Sequence, residues 1–312
     1  EFIDPKSELK AETLLTGLES NETVLANIAL YNCNFDQKES RSNFVEKYGH
    51  RAKNLDVYSA TWAENLEMLK NAALMIKQNK ESPADLFKKS KTERRCAELE
   101  LVQHCSKLRF PLSPLAVGFV KLLLYFSKEF MLMRENQRNA WQKILATTRK
   151  VFIGYGQQLC AHSHIEDIND IFFLNMSEME ALNSSTIIEL AKKIKYRKNT
   201  HQNFSQRHSK PNSLRDIESK LTGIGVSAGT ARGPARICKS YDDVFNAQRG
   251  DILVVPSADP AWSPVFGVVA GMIMETGGVL SHASIVAREF RMPTVTNVKN
   301  ATHLFNNGDP RN

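Results

Sequence analysis

The sequence predicts an α+β multidomain chain, mainly helical over residues 1–196 and a small α/β (β/β/α) unit over residues 221–312. Three observations predict it. Apolar residues recur at helical spacing through the first part, including one pattern from Ser113 to about Cys160 that is long for a globular helix and reads as a bundle spine. The stretch Arg197–Leu214 is polar, unpatterned and contains Pro211, which marks a linker placed at 197–220. From Leu221 onward, short apolar runs of strand length alternate with glycine-bearing turns and short helical runs.

Leu14–Asn34 carries helical periodicity from Val24 to Leu30. Phe44–Trp62 holds a polar cluster, His50, Arg51 and Asp56, between Tyr48, Tyr58 and Trp62. That patch with aromatic walls fits either a ligand pocket or a loop packed on a helix. Glu64–Glu100 reads as two amphipathic helices broken at Glu81–Pro83, the second running towards Leu108. Ile165–Leu174 is a turn followed by an apolar strand or short run, and Ser177–Tyr196 is helical. Beyond the linker, Leu221–Lys239 has four glycines among short apolar runs, Gly250–Pro256 is a turn and a buried strand, and Asp259–Phe266 leads into a short helix.

The chain has 312 residues, 42% hydrophobic and 24% charged, which suits two domains with cores of their own. No run is long enough for a membrane span, and EFIDPKSELK lacks a signal-peptide apolar region. Five scattered cysteines, none in a CxxC pair, read as reduced thiols, so no metal site and a cytoplasmic location are expected. The net charge of +7 is spread among acids, which argues against a nucleic-acid partner and for a solvated face or sites for anionic phosphates.

The chemistry centres on Gly271–Val295. Met272–Met274 reads as a buried strand, Thr276–Gly277–Gly278 as a turn, Ala283–Phe290 as a helix ended by Pro293, and Thr294–Val298 as the next strand. His282 therefore stands where turn becomes helix. A helix N-terminus offers free N–H groups and partial positive charge to an anion. A neutral imidazole is a good nucleophile at pH 7 and forms phosphohistidine when it attacks phosphorus. Gly277 and Gly278 would let phosphate approach backbone, and Thr276, Ser281 and Ser284 could donate to its oxygens. By residue type alone, a lone histidine here reads more readily as a cap neighbour without chemistry than as a nucleophile.

TGGVLSHASIVAREFRMPTV resembles the phosphohistidine signature of the PEP-utilising enzymes. LTGIGVSAGTARGPARI and GDILVVPSADPAWSPVF resemble the segments that precede that histidine in rifampicin phosphotransferase-like members. LLTGLESNETVLANIAL, FVEKYGHR and IEDINDIFFLNMSEMEAL resemble the helical substrate-binding domain of that branch. The resemblance implies a helical acceptor-binding domain followed by a phosphohistidine swivelling domain, with His282 shuttling phosphoryl between two sites. It favours the rifampicin phosphotransferase branch over pyruvate phosphate dikinase, whose acceptor domain is a TIM barrel, since nothing here alternates strand and helix eight times. It further implies ATP and Mg held by an ATP-grasp domain that this sequence does not contain, and a small-molecule acceptor such as a rifamycin-like hydroxyl compound, another hydroxyl compound, or pyruvate. The sequence also ends where a swivelling domain would run on for a strand or two, so it reads as part of a longer protein or a separate subunit, inactive by itself. The rival reading is a non-catalytic phosphocarrier or regulatory module serving a separate ATP-binding subunit; a fused ATP-grasp domain in the neighbouring coding sequence decides between them.

On the acceptor side, Arg134 and Arg138 lie four residues apart on the long helix and either clamp a transferring phosphoryl or form a salt-bridged surface with Glu135. The resemblance implies a basic pair at this spacing, with lysine where Arg138 stands. His50 is a candidate general base, Arg51 a phosphate partner, and Tyr48 a second substrate-binding residue. His162 and His164 read as surface residues, Arg288 and Glu289 as surface ion pairs, and Trp262 as packing in the core or hinge.

Overall fold

The computed structural model describes residues 13–311 apart from 53, 78–80, 181–186, 208–220, 240, 245 and 259–261. The helical part opens with a 3₁₀ turn, Thr13–Leu15, and α1 (Glu22–Asn32), whose N-cap Asn21 accepts from the N–H groups of Thr23 and Val24. α2 (Lys38–Tyr48) and α3 (Leu66–Lys77) follow. α4 (Pro83–Ser106) begins at the expected break: Ser82 caps the N–H of Asp85 and Pro83 occupies the first turn.

α5 (Leu112–Ala161) has 50 residues, about 75 Å at the helical rise, and is the spine that the sequence pattern announced. Its buried positions form one stripe, and the middle of that stripe is polar: Glu135, Asn139, Gln142 and Arg149. These side chains hold the 49–64 loop. Gln142 donates to the Ala52 carbonyl at 3.0 Å, and Arg149 makes a fork onto Glu64 (2.8–3.1 Å) and reaches the carbonyls of Val57 and Tyr58. The polar patch with aromatic walls is thus a loop packed on a helix.

The apolar run at Ile165–Leu174 is a 3₁₀ segment, Ile168–Phe173, because Ile171 and Leu174 close a cluster with Leu159 of α5 rather than a sheet. α6 (Met176–Glu180) and α7 (Ile187–Arg207) complete the helical part. The stretch expected to begin a linker at Arg197 is helical as far as Arg207. Its first residues are tied down: Arg197 donates to Glu178 and to the Phe173 carbonyl, and Lys198 pairs with Asp170. The rest of the expected linker, 208–220, lies outside the described residues.

The second unit is a six-stranded sheet in the order β1-β5-β4-β3-β2-β6. Its strands are β1 (Ile224–Ser227), β2 (Gly233–Ile237), β3 (Ile252–Val255), β4 (Gly271–Met274), β5 (Thr294–Thr296) and β6 (Pro310–Arg311). The central strands β2 to β5 are parallel, and β1 and β6 add antiparallel edges. ILVV and GMIM are nearly all apolar because central parallel strands are covered on both faces. The helices are α8 (Tyr241–Val244), α9 (Ser263–Phe266), α10 (His282–Glu289) and α11 (Ala301–Leu304).

The two units share a core. Val265, Phe266 and Trp262 around α9 join Leu30 of α1 and Leu69, Ala73 and Ile76 of α3 in one buried cluster. Ser263 adds a buried hydrogen bond to Asn27, 3.2 Å. α10 docks beside them, its Ile285 packed against Leu18 and Met131.

Candidate active site

β4 ends at Met274, and the chain turns through Glu275–Ser281 into α10, so His282 lies beyond the C-terminal end of a central parallel strand, where open α/β sheets place ligands. The turn is held from several sides. Glu275 Oε1 accepts from the N–H (2.8 Å) and hydroxyl (2.6 Å) of Thr302, and Thr276 Oγ1 donates to the Pro256 carbonyl, 2.9 Å. Gly277 has φ +148°, and a Cβ there would meet Thr296 Oγ1 at 2.6 Å, so the position demands glycine. Space beside Gly278 is open.

Ser281 is the N-cap of α10, accepting from the Ser284 N–H; its hydroxyl also meets that of Ser284 at 2.8 Å, and Ser284 donates to the Gly278 carbonyl. Both serine hydroxyls therefore shape the turn from within. The part of the turn that faces solvent is Gly278–Leu280, with Thr276.

His282 is only 7% exposed, and its Nδ1 lies 2.7 Å from Oε2 of Glu135, a residue 147 positions earlier on α5. An ionised carboxylate only accepts, so Nδ1 carries the proton and Nε2 is left with its lone pair. Nε2 is buried without a hydrogen-bond partner. Burial alone would push the Glu135 carboxyl up, but His282, then Arg138 and Arg134, outweigh it and hold the group below the ordinary carboxylate range. The arrangement is a nucleophilic nitrogen whose opposite nitrogen is oriented by a charged partner, the logic of a base held by an acid.

The other expected residues fall into two groups. Arg134 and Arg138 flank Glu135 on α5, Arg134 exposed and Arg138 half-buried, and both place positive charge near the Glu135 carboxylate that meets His282. His50 joins the same spine one turn further on: its Nε2 donates to Asn139 Oδ1 at 2.9 Å, and burial lowers its pKa, which keeps it neutral at pH 7 with Nδ1 free to accept a proton. Arg51 and Tyr48 lie deeper. Arg51 is 1% exposed, donates to the Glu22 carbonyl and sits over the Trp62 ring; burial pulls its pKa to about 10. Tyr48 is buried against Phe44 in the helical core. Trp262 packs in the shared core as expected.

Glu289 is buried rather than on the surface, and Arg288 is tied inward as well. Arg288 Nε donates to the Val226 carbonyl at 2.7 Å, bracing α10 on β1. Glu289 is 4% exposed and accepts the Gly17 N–H on both oxygens, at 2.9 and 3.1 Å, because the face of α10 that bears His282 also bears Glu289 two turns on, and that face is the docked one. His162 and His164 stack on one another, and no group of three or more His, Cys, Asp or Glu able to hold a metal occurs among the described residues.

Glu135, named from sequence only as a possible surface salt-bridge partner, is the buried residue that meets His282. A signal existed: polar residues at 135, 139, 142 and 149 keep helical spacing on one face, inconsistent with an all-exposed charged stretch.

Comparison with known proteins agrees with this geometry. Residues 247–310 match the family described as PEP-utilising enzyme, mobile domain, and residues 6–135 match the rifampicin phosphotransferase fourth domain. The chain is 25% identical over 281 residues to a rifampicin phosphotransferase from Bacillus cereus, covering 85% of this chain and 32% of that protein. A rifampicin phosphotransferase from a Streptomyces species is 41% identical over 91 residues, 29% of this chain and 10% of its own length. A phosphoenolpyruvate synthase from Deinococcus radiodurans is 38% identical over 93 residues, 30% of this chain and 11% of its own. The chain thus spans about a third, or less, of the length of the curated relatives it matches.

Proposed function

As a member of the PEP-utilising phosphotransferase family, this chain, we propose, is the acceptor-binding and phosphoryl-carrying part of an ATP-dependent, dikinase-type phosphotransferase. The observation that carries the reading is the His282–Glu135 contact, with Nε2 of His282 unpartnered and Arg134 and Arg138 beside it.

In the intact enzyme, ATP, water and acceptor become AMP, phosphate and phosphorylated acceptor. Nε2 takes a phosphoryl group that originates in ATP on an ATP-grasp domain or subunit, to which the resemblance also assigns Mg. There the Nε2 lone pair attacks the β-phosphorus, the bond from that phosphorus to the AMP oxygen breaks, and water then removes the γ-phosphoryl as phosphate, leaving one phosphoryl group on Nε2; Nδ1–H meets Glu135 when α10 is docked on the helical part. At the acceptor station an acceptor oxygen attacks phosphorus, the N–P electrons return to Nε2, and the hydroxyl proton passes to a base; His50 is the nearest neutral imidazole along the spine. Thr276, Gly277 and Gly278, with the cap residues Ser281 and Ser284, form the turn that the phosphoryl faces. Arg134 and Arg138 stabilise charge on the transferring group, while Arg51 and Tyr48 support the acceptor wall from behind. Phe126, Phe130 and Met133, exposed on α5 just before Arg134, offer apolar surface to the acceptor body. That favours a rifamycin-like hydroxyl compound over pyruvate.

The test is label transfer. With β-labelled ATP and an ATP-grasp domain, acid-labile label is expected on the wild type and none on His282→Ala; label retained by the variant overturns the reading.

A further inference from the structure

α10 presents three side chains to the helical part at positions 282, 285 and 289. His282 meets Glu135, Ile285 fills a recess between Leu18 and Met131, and Glu289 reaches a socket at the start of the chain. The socket is the backbone of one residue. Gly17 donates its N–H to Glu289, and its carbonyl accepts from Arg94 Nη2 of α4 at 3.2 Å. Gly17 has φ +58°, and a Cβ on it would lie 2.3 Å from the Lys91 nitrogen, so the residue can press against α4 only as glycine. Arg94 is itself buried and anchored by Glu98 at 2.9 Å, so the socket does not depend on α10.

This contact lies at the far end of the same helix as the histidine and crosses from one unit to the other. Nothing in the phosphoryl chemistry uses it. We infer that Glu289 is a positioning residue for the acceptor station: seated in the Gly17 socket it fixes α10 so that Nε2 of His282 faces the acceptor. The inference rests on the reading that α10 leaves and returns.

The charge around the carboxyl supports it. Burial pushes Glu289 up to about 7, against the Gly17 N–H and Arg94, which lower it, and with Glu135, which raises it. Groups facing it from packed elements are Arg94 on α4, Glu135 on α5 and His282 on its own helix; Arg291 and Glu93 pair at the rim, 2.6 Å. A carboxyl whose docked pKa lies above its free value favours docking in acid, and that favour is lost as pH rises from the free value towards 7. Glu135 has the opposite sign, but its effect falls below the ordinary carboxylate range, outside this window.

Hydrogen exchange at the Gly17 amide of this chain reports seating directly. After correction for intrinsic exchange, and with strand amides of β3 as an internal reference for global opening, wild-type protection is expected to fall on the order of a hundredfold between pH 5 and pH 8. Glu289→Gln keeps an acceptor for the N–H without a charge and should hold the acid level of protection throughout. Glu289→Ala should lack it at both ends. Flat wild-type protection, or a glutamine variant that follows the wild-type profile, overturns the inference. Exchange does not depend on phosphorylation, so failure of His282 labelling and failure of this profile are separate results.

Discussion

Glu135 decides which nitrogen of His282 can react. By accepting the Nδ1–H hydrogen bond at 2.7 Å it points Nε2, and only Nε2, away from the carboxylate. Glu135→Ala should therefore slow phosphoryl transfer through His282 by about a hundredfold to ten-thousandfold, the range of losing a residue that orients a catalytic histidine, and Glu135→Gln should retain more because an amide oxygen still accepts. Rapid-quench measurement of a single turnover checks it. Arg138 has a different signature. Arg138→Ala should leave labelling of His282 intact and slow transfer to the acceptor on the order of a hundredfold, with Arg138→Lys recovering part of the rate because it keeps the charge but loses the fork. Measuring the two half-reactions separately tests this; equal loss in both would show damage to the fold. At this scale the sequence revealed His282, because its turn–helix setting and signature are local. It did not reveal Glu135 or Glu289, because each is defined by a partner 147 or 272 residues away.

Among the elements, α5 does most of the organising. Its length was legible from periodicity, and the strand–turn–helix around His282 was legible from its apolar runs and glycines. The 3₁₀ turn at Ile168–Phe173 was not, since four apolar residues in a row fit a strand as well as a turn pressed onto a helix end. Nor was the continuation of α7 past Arg197, where ion pairs to Glu178 and Asp170 sustain a helix that has little apolar pattern. Arg149 illustrates how α5 builds the site wall. It is 5% exposed and ties Glu64, Val57 and Tyr58 to the spine, with the Phe172 ring 5.0 Å from its guanidinium. Arg149→Ala should cost about 3 kcal/mol, since it strands a carboxylate and two carbonyls. A lower urea midpoint with an unchanged slope would register that loss.

For the whole molecule, the shared core and the α10 face define one docked arrangement, with the His282 imidazole held over the helical part. The apolar contacts of α9 with α1 and α3 supply non-directional attachment, whereas Glu135 and the Gly17 socket fix register along α10. In the proposed carrier, α10 must leave such a station, so the polar contacts at both of its ends are the ones whose making and breaking tune occupancy. The passage from helices to a mixed sheet was legible in the sequence from the change in pattern after Leu221. How they pack was not, because the contacts joining them are long-range and each half reads as complete without the other.

The account stands most directly on the identity of the phosphorylated atom. Charging the intact enzyme with β-labelled ATP, digesting it at alkaline pH and locating the phosphoryl group by phosphorus–nitrogen NMR correlation should place it on Nε2 of His282, the nitrogen facing away from Glu135. A phosphoryl group on Nδ1 of His282, or on any other residue, would contradict it.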